Sequence, residues 1–386
     1  MKEVTVFSYG DSNSLKTWSN VPYFFTTTLE HQGLKVNRVN VEPKRFIRGI
    51  WNHIIIRFIR LFYPDSTYLL ERTPIFRWYA HIKMKRAVRK FKQTDLFISI
   101  SFSFHTKKYT DKPTIMFCDW TYDYYFEYFK KRNPDKLELQ EIRNQHRLQD
   151  NVDAMFVLFP DACNYAKLHS SNPNIFYLGN VINSKPLTID DQYIDKKFNS
   201  NQILFIGVKK YLPGLQKLVQ AFIKLRTLQP EFSLNVVGIT KSQFIRYAGR
   251  VDLTNINFLG YLDKTDINQN KKYYQLVSQA KIFVNTTPNW SSFSATLDVM
   301  YHYTPIIVSK YRSFVETFGE DLNFGSYCSN TTDEIFNHIN EIISLDYNTY
   351  KDLCQYSNQS VQPFTWESYI NKLLRTTKNI VPELEE

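Results

Sequence analysis

Apolar residues in this chain gather into short runs separated by helical patterns. Strand candidates occupy 4–9, 35–40, 96–101 (Leu-Phe-Ile-Ser-Ile-Ser), 114–118, 154–158 and 174–178. Runs without polar alternation predict strands covered on both faces, as in parallel sheets. A polar stretch from Asn183 to Gln202 precedes a second series at Ile203–Gly207, Ser233–Gly238, Ile256–Phe258, Lys281–Val284 and Pro305–Val308. Pro213 stands where a helix would start. Leu215, Leu218, Val219, Phe222 and Leu225 then recur at helical spacing. The pattern predicts two doubly wound α/β domains with parallel sheets, at 1–185 and 200–365, leaving 366–386 as a separate C-terminal segment.

The stretch from Val284 to Ser309 carries the most chemistry. It reads as a buried strand, a small-residue loop, a helix with Asp298 in its first turns, then Thr304-Pro305 and another buried strand. In α/β proteins such a loop lies at the carboxyl edge of the sheet, where ligands bind. A helix start there offers free N–H groups and partial positive charge to an anion such as a diphosphate.

Composition narrows the class. With 386 residues, 43% hydrophobic and 22% charged, the chain is globular and long enough for two domains. Its 4 cysteines (Cys118, Cys163, Cys328, Cys354) form no CxxC pair, which argues against a zinc site or disulfide framework and fits a reducing compartment. With a strand candidate starting at Val4 no leader is expected, and the expected location is cytoplasmic. The net charge of +11 is concentrated: between Glu42 and Lys92 stand 13 Lys/Arg against 3 acids. On a helical wheel of 45–63, Arg45, Arg48, Asn52, His53, Arg57 and Arg60 share one half. Ile47, Ile50, Trp51, Ile54, Ile55, Phe58, Leu61 and Phe62 share the other, with Ile56 and Ile59 straying. Its arginines exclude a spanning helix. Together with the basic helix expected over 77–92, residues 45–92 suggest a surface facing an anionic membrane, peripheral on its inner face. The alternative is a helix whose apolar half packs on the domain. Nucleic acid ranks low, because no recognition motif accompanies the charge.

The second half resembles glycosyltransferase family 4, the retaining enzymes of the GT-B fold. The resemblance rests on ordered pieces: Ile-Leu-Phe-Ile-Gly207, a Gly214-led helix, Leu-Asn-Val-Val-Gly238, Asn-Phe-Leu-Gly260, a helix ending at Ala280, and the 284–309 stretch. Phe364-Thr-Trp-Glu367 looks like the family's terminal helix signal, which implies a helix crossing back to the first domain. Gly10-Asp-Ser12 with Lys16–Tyr23, and Ile115–Thr121, look like loops of its first domain. The family's two motif glutamates map to Trp290, with Asn289 beside it, and to Asp298. Its turn glycines map to Ser291 and Phe293. The family's Arg and Lys after the Gly207 strand map to Leu212 and Pro213, while Lys209 and Lys210 lie slightly earlier.

The resemblance implies a cleft between the domains, a nucleotide-diphosphate-sugar donor, a glycan or lipid-linked glycan acceptor, and no bound metal or other cofactor. Expected donor contacts are Gly207, Asn289, Trp290, Ser291, Ser292, Phe293, Ser294 and Asp298, the last toward ribose hydroxyls. Lys209 and Lys210 would offset charge on the leaving diphosphate. Asp119 would orient the acceptor hydroxyl or balance oxocarbenium charge. Asp11, Ser19, Asn20 and His105 are expected at strand ends facing the acceptor. Plainer readings stand beside these: an ordinary helix cap from Ser291, Ser292 or Ser294, a solvated lysine pair, an Asp119 that caps the next helix, and a loop histidine. Competing functions are a degenerate GT-B protein that binds a nucleotide sugar or glycan without turnover, and another GT-B enzyme such as a nucleotide-sugar epimerase.

Overall fold

The computed structural model describes residues 1–184, 192–288 and 293–382. The chain forms two compact units, Met1–Asn180 with Trp366–Glu386, and Val181–Thr365.

In the first unit the strands are β1 (Glu3–Ser8), β2 (Lys35–Asn40), β3 (Leu96–Ile100), β4 (Thr114–Cys118), β5 (Ala154–Val157) and β6 (Ile175–Phe176). They lie in the order β2-β1-β3-β4-β5-β6, every pair parallel. β1, β3 and β5 are buried along their whole length, as unalternated runs require. The terminal helix Trp366–Ile380 belongs to this unit. Tyr369, Ile370 and Leu373 bury its apolar face, and Trp366 and Tyr369 meet Phe25 and Phe117 at ring-centroid distances of 5.9 and 5.6 Å.

The second unit repeats the plan with β7 (Gln202–Ile206), β8 (Ser233–Val237), β9 (Ile256–Gly260), β10 (Ile282–Asn285), β11 (Ile306–Val308) and β12 (Gly325–Tyr327). Their order is β12-β11-β10-β7-β8-β9, again all parallel. Leu215, Leu218, Val219, Phe222 and Leu225 are buried on helix Leu212–Leu228, as their spacing predicts. In each sheet the order reverses at one place, beside β1 in the first and between β7 and β10 in the second. Such switch points open a crevice at the carboxyl ends of the strands.

Two elements differ from expectation. β12 was not expected: Gly-Ser-Tyr is short, only partly buried, and has no apolar run. The polar stretch 183–202 contains helix Tyr193–Phe198, whose Lys197 is fully buried. Its ammonium donates to Val277 O at 2.8 Å, Ala280 O at 3.1 Å and Thr304 Oγ1 at 2.8 Å. Three acceptors satisfy a group that polar composition alone assigns to solvent.

The basic segment also departs from its wheel. Residues 45–62 run as helix Arg45–Ile50, a π-turn over Trp51–Ile55, and helix Ile56–Phe62. The π-turn admits an extra residue and rotates everything after it by about one position, roughly 100°. Ile56 and Ile59, which strayed on a uniform wheel, therefore turn inward to join Trp51, Ile47 and Ile55 against Tyr68, Leu70 and Leu137. Ile54, Phe58, Leu61 and Phe62, which the uniform wheel places on the apolar half, are exposed rather than packed on the domain.

Candidate functional site

The edge of the second sheet between β7 and β10 is built by tight packing. Asn285, the last residue of β10, donates from Nδ2 to Ile206 O at 3.2 Å, bridging the two strand ends. Its Oδ1 accepts from Thr287 N at 3.2 Å and Thr287 Oγ1 at 2.8 Å, which folds the loop back on itself. Ser309 Oγ holds Thr287 O at 2.7 Å, and Thr286 Oγ1 donates to Asn330 Oδ1 at 2.8 Å. The loop after β10 is thus tied to the end of β7 and to the loops after β11 and β12. Helix Leu212–Leu228 closes against it at Gly214, where a Cβ would overlap Thr287 Oγ1 and come 2.9 Å from Thr287 N. Only glycine lets that helix start approach so closely. Gly238 has a similar role at φ +92°, where a Cβ would collide with Gly207 O.

Around this edge the expected donor residues separate into three groups. Gly207 is buried at the end of β7, and Lys209 and Lys210 are exposed on the short turn that follows. Asn289, Trp290, Ser291 and Ser292 lie outside the described residues. Phe293 is a correction: its ring is buried among Tyr311, Phe314 and Phe318, with centroids 6.0, 5.2 and 6.2 Å away, so the side chain packs in the core rather than facing a ligand. It is also the N-cap of helix Ser294–Tyr301, a position from which its own side chain makes no capping hydrogen bond. Ser294 therefore occupies the first helical position rather than the cap, and among the described residues no side chain is seen capping the first turn.

Asp298 lies on that helix, buried, in a cluster the sequence did not disclose. Its Oδ2 accepts from Lys264 Nζ at 3.0 Å and Tyr273 Oη at 2.7 Å, while the buried Oδ1 has no hydrogen-bond partner among the described residues. Burial pushes the carboxyl pKa up. Lys264 and His302, with hydrogen bonds from Tyr273 and Lys264, outweigh it and hold the group below its ordinary value. Lys264 is affected in reverse: burial lowers its pKa, Asp298 raises it, and the net shift is upward. Both groups are charged at neutral pH. The ammonium also lies over Tyr273 and Tyr274, 4.0 and 5.1 Å from their ring centroids. His302 completes the cluster, with Nδ1 3.0 Å from Tyr193 Oη and Nε2 3.3 Å from Ser184 Oγ. Burial lowers its pKa to about 4 and keeps it neutral. The sequence signal for Lys264 was a lone cation just after β9, at the same sheet edge. Nothing in the sequence pattern distinguishes it from neighbouring surface lysines.

In the first unit, the loop after β1 lies at the switch point. Trp18, Ser19 and Asn20 take positive φ of 33°, 53° and 72° in succession, a strained run that brings the chain into helix Val21–His31. Asp11 is exposed and accepts from Asn13 N at 2.9 Å and Asn13 Nδ2 at 3.0 Å. Asp119 follows β4 directly, partly buried. Its Oδ1 accepts from Trp120 N at 2.9 Å and Cys118 Sγ at 3.2 Å, and burial raises its pKa to about 6. It does not cap the next helix, because Thr121 does that by accepting from Tyr124 N.

His105 is a second correction. After β3 the chain doubles back: Thr106 Oγ1 lies 3.1 Å from Thr114 Oγ1 at the start of β4, and Lys107 pairs with Asp153 just before β5 at 2.7 Å. His105 is therefore near the amino edge of the sheet, away from the carboxyl ends. It lines a cavity of about 560 Å³ with Arg77, Lys107, Lys108 and Arg147. Burial depresses its pKa to about 4.

No metal cluster is expected from the sequence. Among the described residues the fold does bring possible ligand atoms of Cys328, Glu334 and His338 within 4.8 Å of one another. Each already has a protein partner: Cys328 Sγ lies 2.9 Å from Ser329 O, Glu334 accepts from Ser329 N at 2.8 Å, and His338 pairs with Glu341 at 2.9 Å.

Two doubly wound units, each with a six-stranded parallel sheet, define the GT-B class of α/β fold. Comparison with known proteins agrees: residues 189–360 match the family Glycosyl transferases group 1. A sucrose-phosphate synthase from Thermosynechococcus elongatus shares the fold with a TM-score of 0.68 at 14% identity, over 99% of this chain and 100% of that one. Anabaena HepE, solved with UDP and glucose, gives 0.64 at 10% identity over 98% and 100%. A glycosyltransferase from Rickettsia africae gives 0.63 at 13% identity over 98% of both chains. No curated protein matches by sequence.

Proposed function

We propose that the chain is a retaining glycosyltransferase. It moves a sugar, of hexosyl type, from a nucleotide-diphosphate donor to a glycan or lipid-linked glycan acceptor. The observation that carries this reading is the β7–β10 edge. There a glycine-dependent helix start, a pinned loop and the first turn of helix Ser294–Tyr301 meet at a switch point, inside the segment that matches the glycosyltransferase family. Breaking the sugar–phosphate bond leaves negative charge on the diphosphate. The amides of helix Ser294–Tyr301 and the cations Lys209 and Lys210 are suited to offset it. Asp298 Oδ1 is the acceptor we assign to a ribose hydroxyl.

From the first unit, Asp119 would orient the acceptor hydroxyl or balance oxocarbenium charge. Asp11, Ser19 and Asn20 would contact the acceptor. No metal or other cofactor is required by this reading. The acceptor would be presented at the inner, cytoplasmic face of an anionic membrane, toward which the basic segment 45–92 turns. Among the described residues no helix is long and apolar enough to cross a membrane.

A second reading, a protein that binds the donor without turnover, is favoured by one observation. The acid retained from the family motif already holds Lys264 and Tyr273. Incubating purified protein with a panel of labelled nucleotide sugars, with and without glycan acceptors, separates the two. Release of nucleotide supports transfer. Saturable binding without release supports the second reading, and neither binding nor release removes both.

A further inference from the structure

We infer that the outward face of helix 45–62 inserts into an anionic lipid surface, rather than only resting on it by charge. This deepens the membrane-facing part of the proposed function and is independent of sugar transfer. The helix has two apolar faces. One, centred on Trp51 and Ile56, packs on the first unit. The other carries Phe46, Ile54, Phe58, Leu61 and Phe62, each 63–75% exposed, with Ile50 at its margin.

Positions 46, 50, 54, 58 and 62 recur every fourth residue. In an uninterrupted α-helix that spacing drifts by about 40° per step and would wind the stripe toward the opposite side by Phe62. The π-turn at Trp51–Ile55 takes back about 100° of that roughly 160°, so the stripe stays within one side of the helix. Taking about 200 Å² per large side chain, the exposed apolar surface is on the order of 700 Å². That exceeds the roughly 300–600 Å² of the largest patch on an ordinary monomer.

Charge selects the occupant. Lys44, Arg45, Arg57 and Arg60 are exposed on the same element, and no acid lies between Glu42 and Asp65. A second copy docking on this face would set arginines against arginines, whereas an anionic headgroup layer meets them and leaves the apolar stripe to the acyl boundary. Helix Pro74–Lys90 repeats the chemistry: Ile75 and Trp78 are exposed at its start, and Lys85, Arg86, Arg89 and Lys90 are exposed further along. Tryptophan favours the headgroup level.

The test is flotation of the full chain with vesicles of equal parts phosphatidylglycerol and phosphatidylcholine, and with phosphatidylcholine alone. The wild type should float with the anionic vesicles. Ile54→Ser with Phe58→Ser, which leaves charge unchanged, should weaken partition by about tenfold or more. Arg45→Gln with Arg57→Gln should weaken it in a manner mimicked by salt. All four side chains are exposed, and unchanged thermal unfolding would verify that the variants fold. If the serine variant floats as well as wild type while the glutamine variant does not, the chain adsorbs by charge alone; the insertion is overturned and the membrane-facing reading stands. If the wild type floats with neither vesicle, both are overturned. If it instead sediments as a dimer that the serine variant dissociates, the face belongs to a second copy and the inference fails.

Discussion

Replacing Lys264 by methionine should expose how the buried acid of the second unit is held. The ammonium lies 3.0 Å from Asp298 Oδ2. At an effective dielectric near 20, that separation corresponds to an attraction of roughly 5 kcal/mol. Desolvation offsets part of this, and removing one partner of a buried pair typically costs about 3–5 kcal/mol. Because Tyr273 Oη still donates to the carboxylate at 2.7 Å, the loss for Lys264→Met should fall near the lower end. The pH dependence follows from the same geometry. In the wild type the folded pKa of Asp298 lies below its unfolded value, so its contribution is present at neutral pH and lost only as pH falls below about 4. Without the cation, burial dominates and raises the folded pKa above the unfolded one. The variant's folded state then gains a proton on acidification, and its deficit shrinks between pH 7 and pH 5. Urea unfolding followed by tryptophan fluorescence at the two pH values measures both effects. Adding Asp298→Leu to Lys264→Met should restore most of the stability. A deficit below about 1 kcal/mol, or one equal at both pH values, would refute the coupled pair.

Three further variants probe the proposed site residues. Gly214→Ala should cost about 1–3 kcal/mol by forcing the helix start off Thr287, and nucleotide affinity should fall with it; unchanged unfolding would show that the approach is not tight. Lys209→Ala with Lys210→Ala should leave stability within about 0.5 kcal/mol, since both are exposed, while lowering transfer at saturating donor. Undiminished turnover would remove both from the phosphate site. Asp119 has its pKa raised to about 6, so if its carboxylate serves the reaction the rate should rise as pH passes through 6, and Asp119→Asn should abolish that limb. A pH profile identical in the variant would relegate Asp119 to structure.

The strands were legible because parallel sheets bury both faces of a strand, and runs such as Leu96–Ile100 and Ile203–Phe205 can lie nowhere else. Helix Leu212–Leu228 was legible through its period, while β12 was not, being three partly buried residues without an apolar run. A uniform wheel over 45–63 groups Ile54 and Phe58 with Trp51 and sets Ile56 and Ile59 apart, because it assumes a constant angle per residue and the π-turn breaks that assumption. Phe293 shows the limit of matching a loop by alignment: in place of a small residue it fills the core instead of facing a ligand. His105 shows the limit of counting from strand ends, since the loop after β3 returns to the amino edge before β4 begins. Asp298 was found by its place on the helix, yet its partners Lys264, Tyr273 and His302 come from other elements, and only the fold brings them together.

The central claim is that the edge between β7 and β10 holds the diphosphate of a nucleotide sugar. Amide hydrogen exchange of the full chain with and without UDP tests it most directly, with peptides covering 205–214, 284–288 and 293–300. The account predicts slower exchange on adding UDP in all three, and loss of that protection in Gly214→Ala. Unchanged exchange there at UDP concentrations that saturate binding elsewhere on the chain would contradict it.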